Sequence, residues 1–129
     1  MEHSVVQLND LSDEILMIIL KDMCKSEVLY FLIGVNQRFN TIAHDPIFTN
    51  HLTLLRHADG FIYPLTDSKL DRFCLQILPK IHHKIKWLDL ESSSMKRILL
   101  ATNYSNLYGL TLYNIDVETT RHVFTVKIF

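Results

Sequence analysis

Between Ile15 and Val35 the chain carries apolar side chains on almost every side of two helix-length segments. Ile15, Ile18, Ile19 and Met23 recur at helical spacing behind Ser12, whose hydroxyl suits a helix cap. Asp13 and Glu14 complement the positive end of that helix, while Leu16 and Leu20 widen its apolar face past half the circumference. The pattern predicts a second helix opening near Ser26 and Glu27 and running through Val28, Leu29, Phe31, Leu32 and Val35. It predicts a third with Phe39 and Ile42 inward, ending near Asp45 because Pro46 disfavours helical geometry in the residue before it. Three short helices cannot enclose so much apolar surface by themselves. Part of it must meet either the rest of the chain or another protein.

The rest of the chain has a different texture. His57 to Pro64 reads as a loop, with Asp59-Gly60 as turn chemistry. A helix capped by Asp67 follows, with Leu70, Phe73, Cys74, Ile77, Leu78 and Ile81 at intervals of three and four, and Pro79 should kink or shorten it. After His83 the residues Ile85, Trp87, Leu88 and Leu90 show the alternation of a buried strand. The string Ile85-Lys-Trp-Leu88-Asp-Leu90 returns as Leu107-Tyr-Gly-Leu110-Thr-Leu112, every anchor displaced by 22 residues. Met95, Ile98, Leu99 and Leu100 form a helical stripe between the two copies, and a third strand is due near Phe129, where Phe124-Thr-Val126-Lys-Ile128-Phe129 alternates again. Only three glycines and three prolines punctuate the 129 residues, too few for a sandwich of many short strands. The fold class expected is α+β, rich in helix.

Two resemblances give these patterns a functional direction. L-x-x-L-x-L at this spacing falls within the roughly 20–29 residues of leucine-rich repeats, in which the motif makes a strand and the intervening half returns by a helix or turn. The N-terminal segment resembles the F-box, the helical motif by which substrate receptors attach to a Skp-type adaptor of cullin-RING ubiquitin ligases. The matching residues are Leu11-Ser-Asp-Glu14-Ile15-Leu16, Ile19-Leu20, Met23, Glu27-Val28, Val35-Asn-Gln-Arg38-Phe39 and Asp45-Pro46. Ser12 stands where the family usually has proline, and Phe39 where tryptophan is common. The resemblance implies a three-helix F-box-like unit over residues 1–55, a helical connector over 56–84 and about two leucine-rich-repeat-like units over 85–129. It implies adaptor contacts at Leu11, Ile15, Leu16, Leu20, Val35 and Phe39, and through the adaptor a cullin as further partner. Any one of these side chains would also serve in the domain's own core. The repeats would recognise an unknown protein substrate, with Asp89 and Tyr113 outward in the strand alternation and Trp87 better suited to packing.

Nothing in the chain reads as catalytic. Asp13 and Glu14 are helix neighbours about 100° apart and cannot flank one bond. G-x-S-x-G is missing, and Gly34, Gly60 and Gly109 stand isolated, so there is no phosphate loop. Cys74 and His82 on one helix would lie about 12 Å apart along its axis, too far to share a zinc ion, so neither metal nor cofactor is expected. A formal charge of −1 draws the chain to neither nucleic acid nor an anionic membrane. The basic cluster Lys80-Ile-His-His-Lys84-Ile-Lys86 suits a solvated face. Cys24 and Cys74 form no paired framework, the N-terminus lacks a secretory pattern, and no apolar run approaches the roughly 20 residues of a membrane span. The expectation is a cytoplasmic or nuclear, non-enzymatic receptor subunit. The competing reading is a repeat-type interaction scaffold whose N-terminal helices merely cap it.

Overall fold

The computed structural model describes residues 6–117 and 120–127. The start of the acidic N-terminal stretch, residues 1–5, and the tail residues Ile128 and Phe129 lie outside them.

Helix α1 runs Asp13–Lys21. Ser12 caps it, its hydroxyl accepting from the Ile15 amide at 3.4 Å. Helix α2, Lys25–Leu32, is shorter than the apolar pattern predicts. Gly34 takes φ +83°, a left-handed conformation that glycine adopts at no steric cost, and the chain turns out of the helix before Val35. Helix α3, Gln37–Ala43, begins where the Asn36 side chain accepts from the Phe39 amide at 2.8 Å. Pro46 does more than stop α3. With Asp45 accepting from the Ile47 amide at 3.0 Å, it opens a further turn, α4, over Pro46–Thr49.

The expected loop over His57 to Pro64 is instead a hairpin of β1, His51–Ala58, and β2, Phe61–Pro64. Asp59 at φ +52° and Gly60 at φ +79° give both central residues the positive φ of a type I′ turn, whose twist matches that of paired strands. Helix α5, Asp67–Arg72, then leads through a π-helical segment, Phe73–Ile77, into α6, Leu78–Ile81. The π turn lies just ahead of Pro79, which has no amide to donate, so the break expected at that proline is absorbed by a widened turn. Strand β3, Trp87–Glu91, helix α7, Ser92–Leu100, and strands β4, Gly109–Val117, and β5, Thr120–Lys127, complete the described chain.

The five strands form one sheet in the order β2-β1-β3-β4-β5. The three inner strands are parallel and the two outer ones antiparallel to their neighbours. The 22-residue repeat becomes strand register: Trp87 pairs with Gly109, Leu88 with Leu110 and Leu90 with Leu112. A further unit precedes the two legible in the sequence. Leu52 pairs with Leu88 and Leu54 with Leu90, so Leu52-Thr53-Leu54 repeats the same L-x-L geometry. The C-terminal strand departs from the repeat, because β5 returns antiparallel to β4 where a repeat would add another parallel strand.

All six of these leucines are buried. They pack with Phe73, Ile77 and Ile81 on one side of the sheet, and the same continuous core takes in Val28, Leu29 and Leu32 of α2 with Leu16 and Leu20 of α1. The N-terminal helices are thus joined to the sheet by shared apolar packing. The boundary expected after residue 55 falls inside β1.

Candidate docking and recognition surfaces

Helix α1 carries two apolar stripes with opposite fates. Leu16 and Leu20 are 1% and 2% exposed, whereas Ile15, Ile18 and Ile19 are 47%, 67% and 40% exposed. Positions 15, 18 and 19 share one side of a helix at 100° per residue, so the exposed groups form a continuous ridge. Phe31 on α2 and Val35 after it are also more than half exposed. Leucine and isoleucine side chains left in water forgo ~1.5 to 3 kcal/mol each relative to burial. The ridge is therefore the candidate docking surface.

The six residues that the F-box resemblance points to are therefore divided. Ile15 and Val35 lie at the surface, Leu11 is half-buried against the core, and Leu16, Leu20 and Phe39 are interior. The last three are unavailable to a partner in this conformation, because α1 turns Leu16 and Leu20 toward α2 and the shared core, and Phe39 on α3 joins the same core. Ile18, Ile19 and Phe31 are exposed apolar groups of α1 and α2 that the resemblance does not name as adaptor contacts. Their signal is in the sequence as a second stripe, but periodicity alone cannot say which of two apolar stripes faces inward.

The polar residues of the motif build the unit that displays this ridge. The Arg38 guanidinium bonds Asp13 Oδ1 at 2.9 Å, the Asn9 carbonyl at 3.0 Å and the Leu11 carbonyl, tying α3 to the start of α1. Its planar fork satisfies three acceptors at once, which lysine could not do in one plane. Asn36 and Asp45 act as helix caps, as described.

The other candidate surface is the open face of the sheet, opposite the buried leucines. Asp89 accepts from His51 Nε2 at 2.7 Å and Thr53 Oγ1 at 2.9 Å, and its side chain is 15% exposed. It is thereby committed to bridging β1 and β3, with little left to offer a substrate. Trp87 lies on this same face by strand alternation, half-buried, contrary to the expectation that it packs in the core. Its indole donates to Thr111 Oγ1 at 3.1 Å, Tyr108 meets it edge-on at 5.4 Å, and Gly109 beside it leaves room for the ring. Tyr113 is half-buried on β4 opposite Glu91. The sheet thus brings Trp87, Asp89, Thr111 and Tyr113 to one face, with the exposed Tyr108 beside Trp87.

Glu91 is buried, yet its carboxylate is satisfied. It caps α7 by accepting from the Ser93 amide at 2.9 Å, with the Ser93 hydroxyl and Asn114 Nδ2 beside it. Asn114, at φ +63° in the β4 bulge, also donates to the Ile62 carbonyl at 2.8 Å and so pins β2 over the end of the sheet. These are structural roles.

Among the described residues no three His, Cys, Asp or Glu side chains are grouped to hold a metal ion, and no helix is long and apolar enough to cross a membrane. Cys24 is exposed and sits 3.2 Å from Ser26 Oγ. Cys74 is buried, and burial pushes its thiol up from the usual range. Comparison with protein-family models, with curated proteins and with solved structures found no match for this chain.

Proposed function

We propose that this chain is a non-catalytic, F-box-type substrate receptor, cytoplasmic or nuclear, that docks through its N-terminal helices onto a Skp-type adaptor of a cullin-RING ubiquitin ligase. The observation that carries this reading is the exposed ridge of Ile15, Ile18 and Ile19, accompanied by Phe31 and Val35, on the helices that bear the resemblance. The leucine-rich-repeat-like face of β1, β3 and β4 would receive a protein substrate, with Trp87 and Tyr108 as contacts and Tyr113 at its side. Such a subunit accelerates ubiquitin transfer by proximity, raising the effective concentration of substrate at the ligase with no chemistry of its own.

The test uses the full chain, because the N-terminal helices share their core with the sheet. Ile15→Asp with Ile18→Asp places two charges on the ridge and leaves the interior intact. Isothermal titration against a Skp-type adaptor should give saturable binding for the wild type and at least about a hundredfold weaker binding for the double variant, at unchanged thermal stability. Absence of wild-type binding, or undiminished binding by the folded variant, contradicts the proposal.

One observation favours the scaffold reading. The core is continuous from Leu16 of α1 to Leu112 of β4, as it would be if the helices served to cap the strand stack. That role accounts for the buried stripe of α1 and leaves the exposed one without a purpose.

A further inference from the structure

Two charges of opposite sign border the isoleucine ridge of α1. Glu14 in the first turn and Lys21 in the last are seven residues apart, nearly two full turns, so both fall along one flank of the ridge. Both are exposed. The ion pairs among the described residues join Arg38 to Asp13, His51 to Asp89 and Arg97 to Asp71, and include neither of them. Asp13, the other acid of the first turn, lies on the opposite side of the helix from Ile15 and is held by Arg38.

An apolar ridge with an acid at one end and a base at the other, both on one flank, is complementary to itself turned end for end. Two copies of α1 packed antiparallel about a two-fold axis set Ile15 of each against Ile18 of the other. That register brings Glu14 of each beside Lys21 of the other, so every contact forms twice. A parallel pair would instead set Glu14 against Glu14 and Lys21 against Lys21. Asp22, one heptad beyond Ile15 on the same line, falls past the isoleucines at the amino end of the other copy's α1, where free backbone amides favour an acid.

We infer that two copies of this chain pair through the α1 ridge, antiparallel and two-fold symmetric. The consequence, that a second copy and an adaptor exclude one another from the ridge, rests on the adaptor reading; the pairing itself does not. A contact built on one nine-residue helix, about 13.5 Å long, is at the small end of protein interfaces. That suits a weak, exchanging pair which leaves the ridge open to a tighter partner.

Sedimentation equilibrium of the full chain alone, without adaptor and at low salt, tests the pairing. A monomer–dimer equilibrium with Kd on the order of 100 µM is expected, weakening as salt is added. Glu14→Lys and Lys21→Glu should each weaken self-association on the order of tenfold, since each sets like charges against each other. An equimolar mixture of those two variants should regain wild-type association, because the crossing pairs re-form between unlike copies. The double reversal, Glu14→Lys with Lys21→Glu in one chain, should regain it as well. A chain that stays monomeric at millimolar concentration, association that the single reversals leave unchanged, or a mixture no stronger than either variant alone overturns the inference. None of these results bears on adaptor binding, which the titration with adaptor decides separately.

Discussion

Single side chains on α1 separate packing from docking. Leu16→Ala should cost about 2–5 kcal/mol, because the leucine is fully enclosed and a cavity would remain. Ile18→Ala, two positions on, should change stability by less than about 0.5 kcal/mol. Urea denaturation of the two variants measures both, and equal costs would contradict the orientation of α1. The cysteines differ in the same way. Cys24 should react with a thiol reagent in the native protein, whereas Cys74 should react only on unfolding. Burial raises the Cys74 thiol, and burial followed by the charge of Cys74 raises the Tyr104 hydroxyl well above its ordinary value. A group raised in the folded state contributes stability that is fully present below its unfolded pKa, about 8.5 for a thiol, and is lost as pH rises toward the folded value. From pH 8 to 10 the wild type should therefore lose more melting temperature than Cys74→Ala does.

At the scale of elements, Asn36 should matter more than its exposed position suggests. Its side chain starts α3, which carries Arg38, so Asn36→Ala should cost about 1 kcal/mol by chemical denaturation. The elements that were legible in the sequence are those with a local cause: the Ser12 cap of α1 and the L-x-L strands 22 residues apart. Two misreadings had local signals all the same. The β1–β2 hairpin is announced by Asp59-Gly60 at its turn, and Leu52-Thr-Leu54 repeats the motif of the other two strands. Val35 continues an apolar run, but Gly34 ends the helix before it is reached. The candidate site was legible as a surplus of apolar surface and not as a set of residues, since whether Leu16 or Ile18 faces outward is decided by packing against α2 and the shared core.

Across the whole molecule, one core spans the helices and the strands, so melting should be a single cooperative transition with calorimetric and van't Hoff enthalpies equal. Two separate transitions would mean that the N-terminal helices form a module of their own. The same continuity gives the proposed attachment its logic: α2, itself packed on β1, backs one side of α1 so that the other can be offered to a partner. Methyl-resolved NMR of the full chain with a Skp-type adaptor tests this most directly. The account predicts that the methyl signals of Ile15, Ile18 and Ile19 shift on addition of adaptor while those of Leu88 and Leu110 do not. No change at the isoleucines, or changes confined to the strands, would contradict it.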